Sequence, residues 1–121
     1  MKTSLRQKGK TAAITGGITG IGRAIALEFI RQGCNVAINH LGLEKDKPLR
    51  HSLLEEVKAL HQLAAAEGKG DFQIGDVLEI SGDVTVPETS ETLIKQAVDR
   101  WGKLNIFVAN AGVFKQAEFL G

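Results

Sequence analysis

The chain has 121 residues, 43% hydrophobic and 24% charged, which is ordinary for one globular domain with a core of its own. A formal net charge of +1 gives no basic field for nucleic acid or an anionic membrane, so neither is expected as a partner. The single cysteine, Cys34, excludes an internal disulfide, and the scattered His40, His51 and His61 show no metal-ligand spacing.

In chain order, the first ten residues are basic but hold no apolar run of the kind a signal peptide needs, and 1–9 read as a flexible arm. No stretch approaches the about 20 apolar residues of a membrane span, so a soluble, cytoplasmic protein is expected. Gly9-Lys10-Thr11 mimics the end of a phosphate-binding P-loop. Ser4 stands where that motif needs its first glycine and the triplet precedes the strand, so the match is rejected.

Ala12, Ala13, Ile14 and Thr15 read as a buried strand entering a turn. Gly16, Gly20 and Gly22 follow, and a helix opens out of the turn with Ile21, Ile25 and Phe29 spaced along one face. A helix start carries unpaired N–H groups and a positive dipole end, which suits a phosphate. Gly16 can take a backbone angle closed to other residues, and the later glycines let a pyrophosphate approach.

Gly33 then suits a helix C-terminal cap, and Cys34 to Asn39 reads as a second buried strand with Cys34 as a small hydrophobe. A polar connection over His40 to Pro48 leads to a helix from Leu49 to Glu67, with Leu53, Val57, Leu60 and Ala64 as its apolar face. The approach from Asp71 to Asp76 is longer than such units usually need, and Val77 to Ile80 is the third strand. Thr85 and Glu88 suit a capping box, with Pro87 in the first turn. The helix that follows carries Leu93, Ile94, Ala97, Val98 and Trp101 on one side and closes at Gly102. Leu104 to Ala109 is the fourth strand, ending in Asn110-Ala111-Gly112.

Strands alternating with helices in this way predict an α/β fold, the first half of a Rossmann-like doubly wound parallel sheet in the order 3-2-1-4. The domain would run over 10–121, with its ligand in the crevice at the strand carboxyl ends.

The turn spacing is T-G-x-x-x-G-x-G rather than G-x-G-x-x-G, and with the Asn110-Ala111-Gly112 run it resembles the short-chain dehydrogenase/reductase family. The resemblance extends from Lys10 to Leu120. It implies an NAD(P)-dependent oxidoreductase of alcohols or sugars, with Gly16, Ile18, Thr19, Gly20, Ile21 and Gly22 around the cofactor phosphates. It also implies that Asp83 bonds the adenine amino group with Val84 beside it. Asn110, Ala111 and Gly112 would stiffen the sheet and line the nicotinamide-side ribose. Ala13 to Ile25, Asn39-His40-Leu41, Gly82-Asp83, Pro87 to Thr89 and Asn105 to Val113 further resemble the corresponding stretches of fungal L-rhamnose 1-dehydrogenases. Those enzymes oxidise the anomeric carbon to a lactone and pass hydride to NAD(P).

Rossmann proteins that choose NAD usually carry an acid about 20 residues past the glycines, against the ribose hydroxyls. Asn39 and His40 stand at that point here and are expected to line the cofactor's adenosine ribose; with no acid there NADP is admitted, and the reading leans to NADP with some dual use. Arg23, Lys45 and Lys47 are neighbours that could meet a 2′-phosphate, though each also reads as an ordinary surface charge.

The family's chemistry uses a tyrosine with a lysine four residues later, and this chain has no tyrosine. Ser4, Ser52, Ser81 and Ser90 all precede the Asn-Ala-Gly run, whereas the family's serine follows it. No catalytic residue is therefore carried over. The expectation is a fragment that holds the cofactor site of a longer, homo-oligomeric dehydrogenase with a small-molecule substrate. A non-catalytic dinucleotide-binding module and another Rossmann-like enzyme, such as a methyltransferase, are the alternatives.

Overall fold

The computed structural model describes residues 9–66 and 74–110. Of the expected features, the 1–9 arm apart from Gly9, the glycine-rich end of the second helix, and Ala111 with Gly112 lie outside them.

The elements run β1 (Thr11–Ile14), α1 (Gly20–Arg31), β2 (Asn35–His40), a 3₁₀ turn (Glu44–Asp46), α2 (Lys47–Ala66), β3 (Val77–Ser81), α3 (Pro87–Trp101) and β4 (Ile106–Val108). The strands form one parallel sheet in the order β3-β2-β1-β4, as expected from right-handed crossovers. Ala12 lies opposite Val36 on one side and Ile106 on the other, and Asn39 opposite Ile80.

Both faces of the sheet are covered, which is why the strands are apolar runs rather than alternating ones. Ala12, Ile14, Val36 and Ile38 pack against Ala26, Leu27 and Ile30 of α1 and Leu53 and Val57 of α2. Ala13, Ala37 and Ile80 meet Leu93 and Ala97 of α3, with Trp101 and Leu104 at the margin.

Three local expectations are corrected. The buried stripe of α1 runs through Gly22, Ala26, Leu27 and Ile30, while Ile21 is 72% exposed. Ile25 and Phe29 only flank the core. The helix starts directly at the glycine turn, so its first apolar residue projects beside the crevice instead of under it. On α3, Leu93 and Ala97 are buried, but Ile94 and Val98 are exposed, because among the described residues one helix covers this face and its apolar side is wider than the contact. The capping box at Thr85 does not form. Val86 is the N-cap and makes no side-chain bond, with Pro87 opening the helix. Thr85 instead gives its N–H and Oγ1–H to Asp83 Oδ1, at 2.9 and 2.7 Å, closing a local Asx turn that competes with capping.

The long approach to β3 also has a physical reason. Gly75 N–H donates to Ile30 O at 2.8 Å, Asp76 N–H to Asn35 Oδ1 at 3.0 Å, and His61 Nε2 to Gly75 O at 2.8 Å. A Cβ on Gly75 would lie 1.7 Å from Cys34 O. Gly75 and Asp76 thus lie across the end of α1 and the start of β2, backbone against backbone, before pairing begins.

Candidate functional site

The carboxyl ends of β1, β2 and β3, with Asn110 after β4, converge around the glycine turn. Gly16 has φ 67°, in the region that only glycine enters readily. Its N–H points to Asn39 Oδ1 at 3.4 Å, and its carbonyl accepts from Asn110 Nδ2 at 3.2 Å. Gly17 N–H donates to Asn39 O at 3.1 Å, and Thr15 N–H to Val108 O at 3.0 Å. The turn is thereby fastened from both neighbouring strands.

The other glycines have distinct tasks. A Cβ on Gly22 would stand 2.3 Å from Gly16 O and 2.7 Å from Asn110 Nδ2, so this glycine lets α1 lie against the turn. Gly20 has φ 56°, and a Cβ there would meet nothing within 4 Å. Its side is open. Thr19, Gly20 and Ile21 are exposed, whereas Ile18 is in the core. The first turn of α1 holds no acid that would oppose an anion, and its amides face the opening as helix geometry requires.

At the other strand ends the expected residues divide. Asp83 is exposed beside the crevice with its carboxylate oriented by Thr85, and Val84 is half-buried next to it. Asn39 and His40 are buried. Asn39 Nδ2 donates to Gly82 O at 2.9 Å. His40 Nδ1 accepts from Gly42 N–H at 3.0 Å, which leaves the proton on Nε2 to donate to Glu79 Oε1 at 3.0 Å. Arg50 Nε bonds the same carboxylate oxygen.

Arg23 does not face the crevice entrance. Its guanidinium reaches Leu49 O, Ser52 Oγ and Glu56 Oε1 on α2, at 3.3, 3.0 and 2.7 Å, and clamps the two helices together. Lys47 pairs with Glu44 at 2.9 Å. The Glu79–Arg50 pair and the bond from Asn110 to Gly16 were not legible as contacts. The one available sign of the former was a carboxylate interrupting the apolar run of β3. Among the described residues no group of His, Cys, Asp and Glu could hold a metal ion, and no helix is long and apolar enough to cross a membrane.

Comparison with known proteins agrees with this arrangement. The family model described as short chain dehydrogenase matches residues 10–120. The chain is 44% identical over 112 residues to an L-rhamnose-1-dehydrogenase of Scheffersomyces stipitis, covering 93% of this chain and 38% of that protein. It is 36% identical over 113 residues to an L-rhamnose 1-dehydrogenase (NAD(P)(+)) of Sphingomonas, again covering 93% and 38%. Among solved structures, the hydroxysteroid dehydrogenase from Escherichia coli superposes with a TM-score of 0.68 at 28% identity, over 89% of this chain and 39% of that one. An NADH-dependent reductase complexed with NAD gives 0.66 at 28% identity, over 89% and 38%. The chain spans about 38% of the length of these first two curated relatives. With the family model matched over nearly all of its residues and the sheet order and glycine turn in place, the chain belongs to the short-chain dehydrogenase family.

Proposed function

We propose that this chain, over 10–121, is the dinucleotide-binding part of an NAD(P)-dependent oxidoreductase of alcohols or sugars, with L-rhamnose oxidised to its lactone as the specific reaction. The observation that carries the reading is the glycine turn, held by Asn39 and Asn110 while the α-carbon of Gly20 stays open at a helix start free of acids. A pyrophosphate fits there. Gly16, Thr19, Gly20, Ile21 and Gly22 would hold it, Ile18 would anchor the turn in the core, and Asp83 with Val84 would meet the adenine. Asn110, Ala111 and Gly112 would border the nicotinamide-side ribose. When bound, the nicotinamide supplies the hydride acceptor; the residues of this chain bind and orient it.

With no acid at Asn39 or His40, both NAD and NADP are accepted and NADP is favoured. The NAD(P)(+) in the name of the Sphingomonas relative supports dual use. The test is calorimetric titration of the chain with NAD, NADP and a methyl-donating adenosyl sulfonium. Binding of either dinucleotide upholds the reading; binding of the sulfonium alone overturns it. L-rhamnose-dependent NAD(P) reduction by the natural gene product tests the substrate. The second reading is a dinucleotide-binding module without catalysis of its own. Dinucleotide binding without sugar oxidation by the natural product selects it.

A further inference from the structure

We infer that Asn39 is a positioning residue: its amide fastens the glycine turn to the end of β3 and makes no contact with a ribose. The inference rests on the dinucleotide reading for its ligand, but the brace itself is a property of the chain.

Asn39 is the penultimate residue of β2, next to His40 at the strand end where a Rossmann protein selective for NAD presents an acid to the ribose hydroxyls. Here the residue is 2% exposed. Its Oδ1 accepts from Gly16 N–H at 3.4 Å and its Nδ2 donates to Gly82 O at 2.9 Å. The adjoining main chain repeats the link, with Gly17 N–H donating to Asn39 O at 3.1 Å and Gly82 N–H to His40 O at 2.8 Å. One side chain therefore joins the ends of three strands, and both ends of its amide are engaged.

The chemistry needed here is a neutral group that accepts at one atom and donates at the other. An ionised aspartate cannot replace it, since its carboxylate would face Gly82 O, two acceptors together, in a buried place. A protonated aspartic acid can, with its O–H toward Gly82 O and its C=O toward Gly16 N–H. The nearby charged groups oppose ionisation or lie elsewhere. Asp83 follows Gly82 and Glu88 is in the first turn of α3, and both acids oppose ionisation; the positive end of α1, whose first turn has no acid, favours it, and the lost bond to Gly82 O is set against that. The His40–Glu79–Arg50 group belongs to the opposite face, because side chains alternate along β2 and Asn39 shares its side with Ala37.

The test is Asn39→Asp in the 121-residue chain, compared with wild type by calorimetry with NAD and NADP and by thermal unfolding, at about pH 8 and about pH 5. At the higher pH the variant is expected to bind both dinucleotides about tenfold more weakly and to unfold earlier. Both deficits should shrink as the pH falls and the carboxyl takes up its proton, the stability deficit vanishing only near the pKa of about 3.9 of the unfolded side chain. A gain for NAD with a loss for NADP at pH 8 would show a ribose contact and overturn the inference. An unaltered affinity and stability, or a loss that stays the same at pH 5, would overturn it too. If wild type binds neither dinucleotide, the functional reading fails and unfolding alone decides. A deficit at pH 8 that narrows at pH 5 still upholds the brace, and a variant as stable as wild type at pH 8 refutes it.

Discussion

Thr11 offers a sharp test of the packing argument. It is fully buried at the start of β1, and its Oγ1 has no hydrogen-bond partner among the described residues. The main chain of the residue is well used, since Thr11 N–H donates to Asn105 Oδ1 and Asn105 N–H to Thr11 O, both at 2.9 Å. Thr11→Val keeps the shape and β-branching, leaves those bonds alone and replaces the orphaned hydroxyl with a methyl. A buried polar group left unsatisfied costs about 1–3 kcal/mol, and burying one more apolar carbon contributes about 0.8 kcal/mol. Allowing for partial relaxation, the variant should gain about 1–2 kcal/mol, an upward shift of roughly 4–8 °C in Tm for a chain of this size. Urea and thermal unfolding followed by far-ultraviolet circular dichroism read this directly, with Thr11→Ser as the control that keeps the hydroxyl and loses the methyl. A Thr11→Val variant no more stable than wild type would mean that the hydroxyl is bonded in solution, and the argument would fall.

Gly22→Ala should lose about 2–3 kcal/mol and dinucleotide affinity together, because its methyl enters the space held by Gly16 O and Asn110 Nδ2; chemical unfolding and calorimetry would check both. Arg23→Ala should lose about 1–2 kcal/mol as α1 and α2 separate, with the ratio of NADP to NAD affinity unchanged. A selective loss of NADP would place that guanidinium at the 2′-phosphate instead. Burial pushes the Cys34 thiol from 9.0 up to about 11, so native Cys34 should alkylate slowly. The same shift means that its contribution to stability is whole below pH 9.0 and is lost as the pH climbs through about 11, since the unfolded chain ionises first. Cys34→Ala should flatten that alkaline decline in urea midpoints measured across the range.

The strand order could be read in advance because each strand is a short apolar run bounded by glycines and polar turns, and right-handed crossovers leave few arrangements. The glycine turn was equally legible, since φ 67° at Gly16 and the contact beneath Gly22 are demands that only glycine meets. What escaped the sequence were partnerships across distance. Nothing in Asn39 as a letter says whether its amide faces a ligand or Gly82 O, and Arg23 reads as a surface charge until α2 is seen beside it. Thr85 misled for a related reason. A threonine three residues before a glutamate fits a cap, but the nearer Asp83 carboxylate took its hydroxyl.

The glycine turn hangs between unequal supports. On one side β2 is central and almost wholly enclosed; on the other β4 is three residues long, the outer strand of the described sheet, with Phe107 42% exposed. The two anchors therefore differ in kind: Asn39 holds the amide of Gly16 from a side chain that is itself enclosed, whereas Asn110 holds its carbonyl from the residue that leads out of β4.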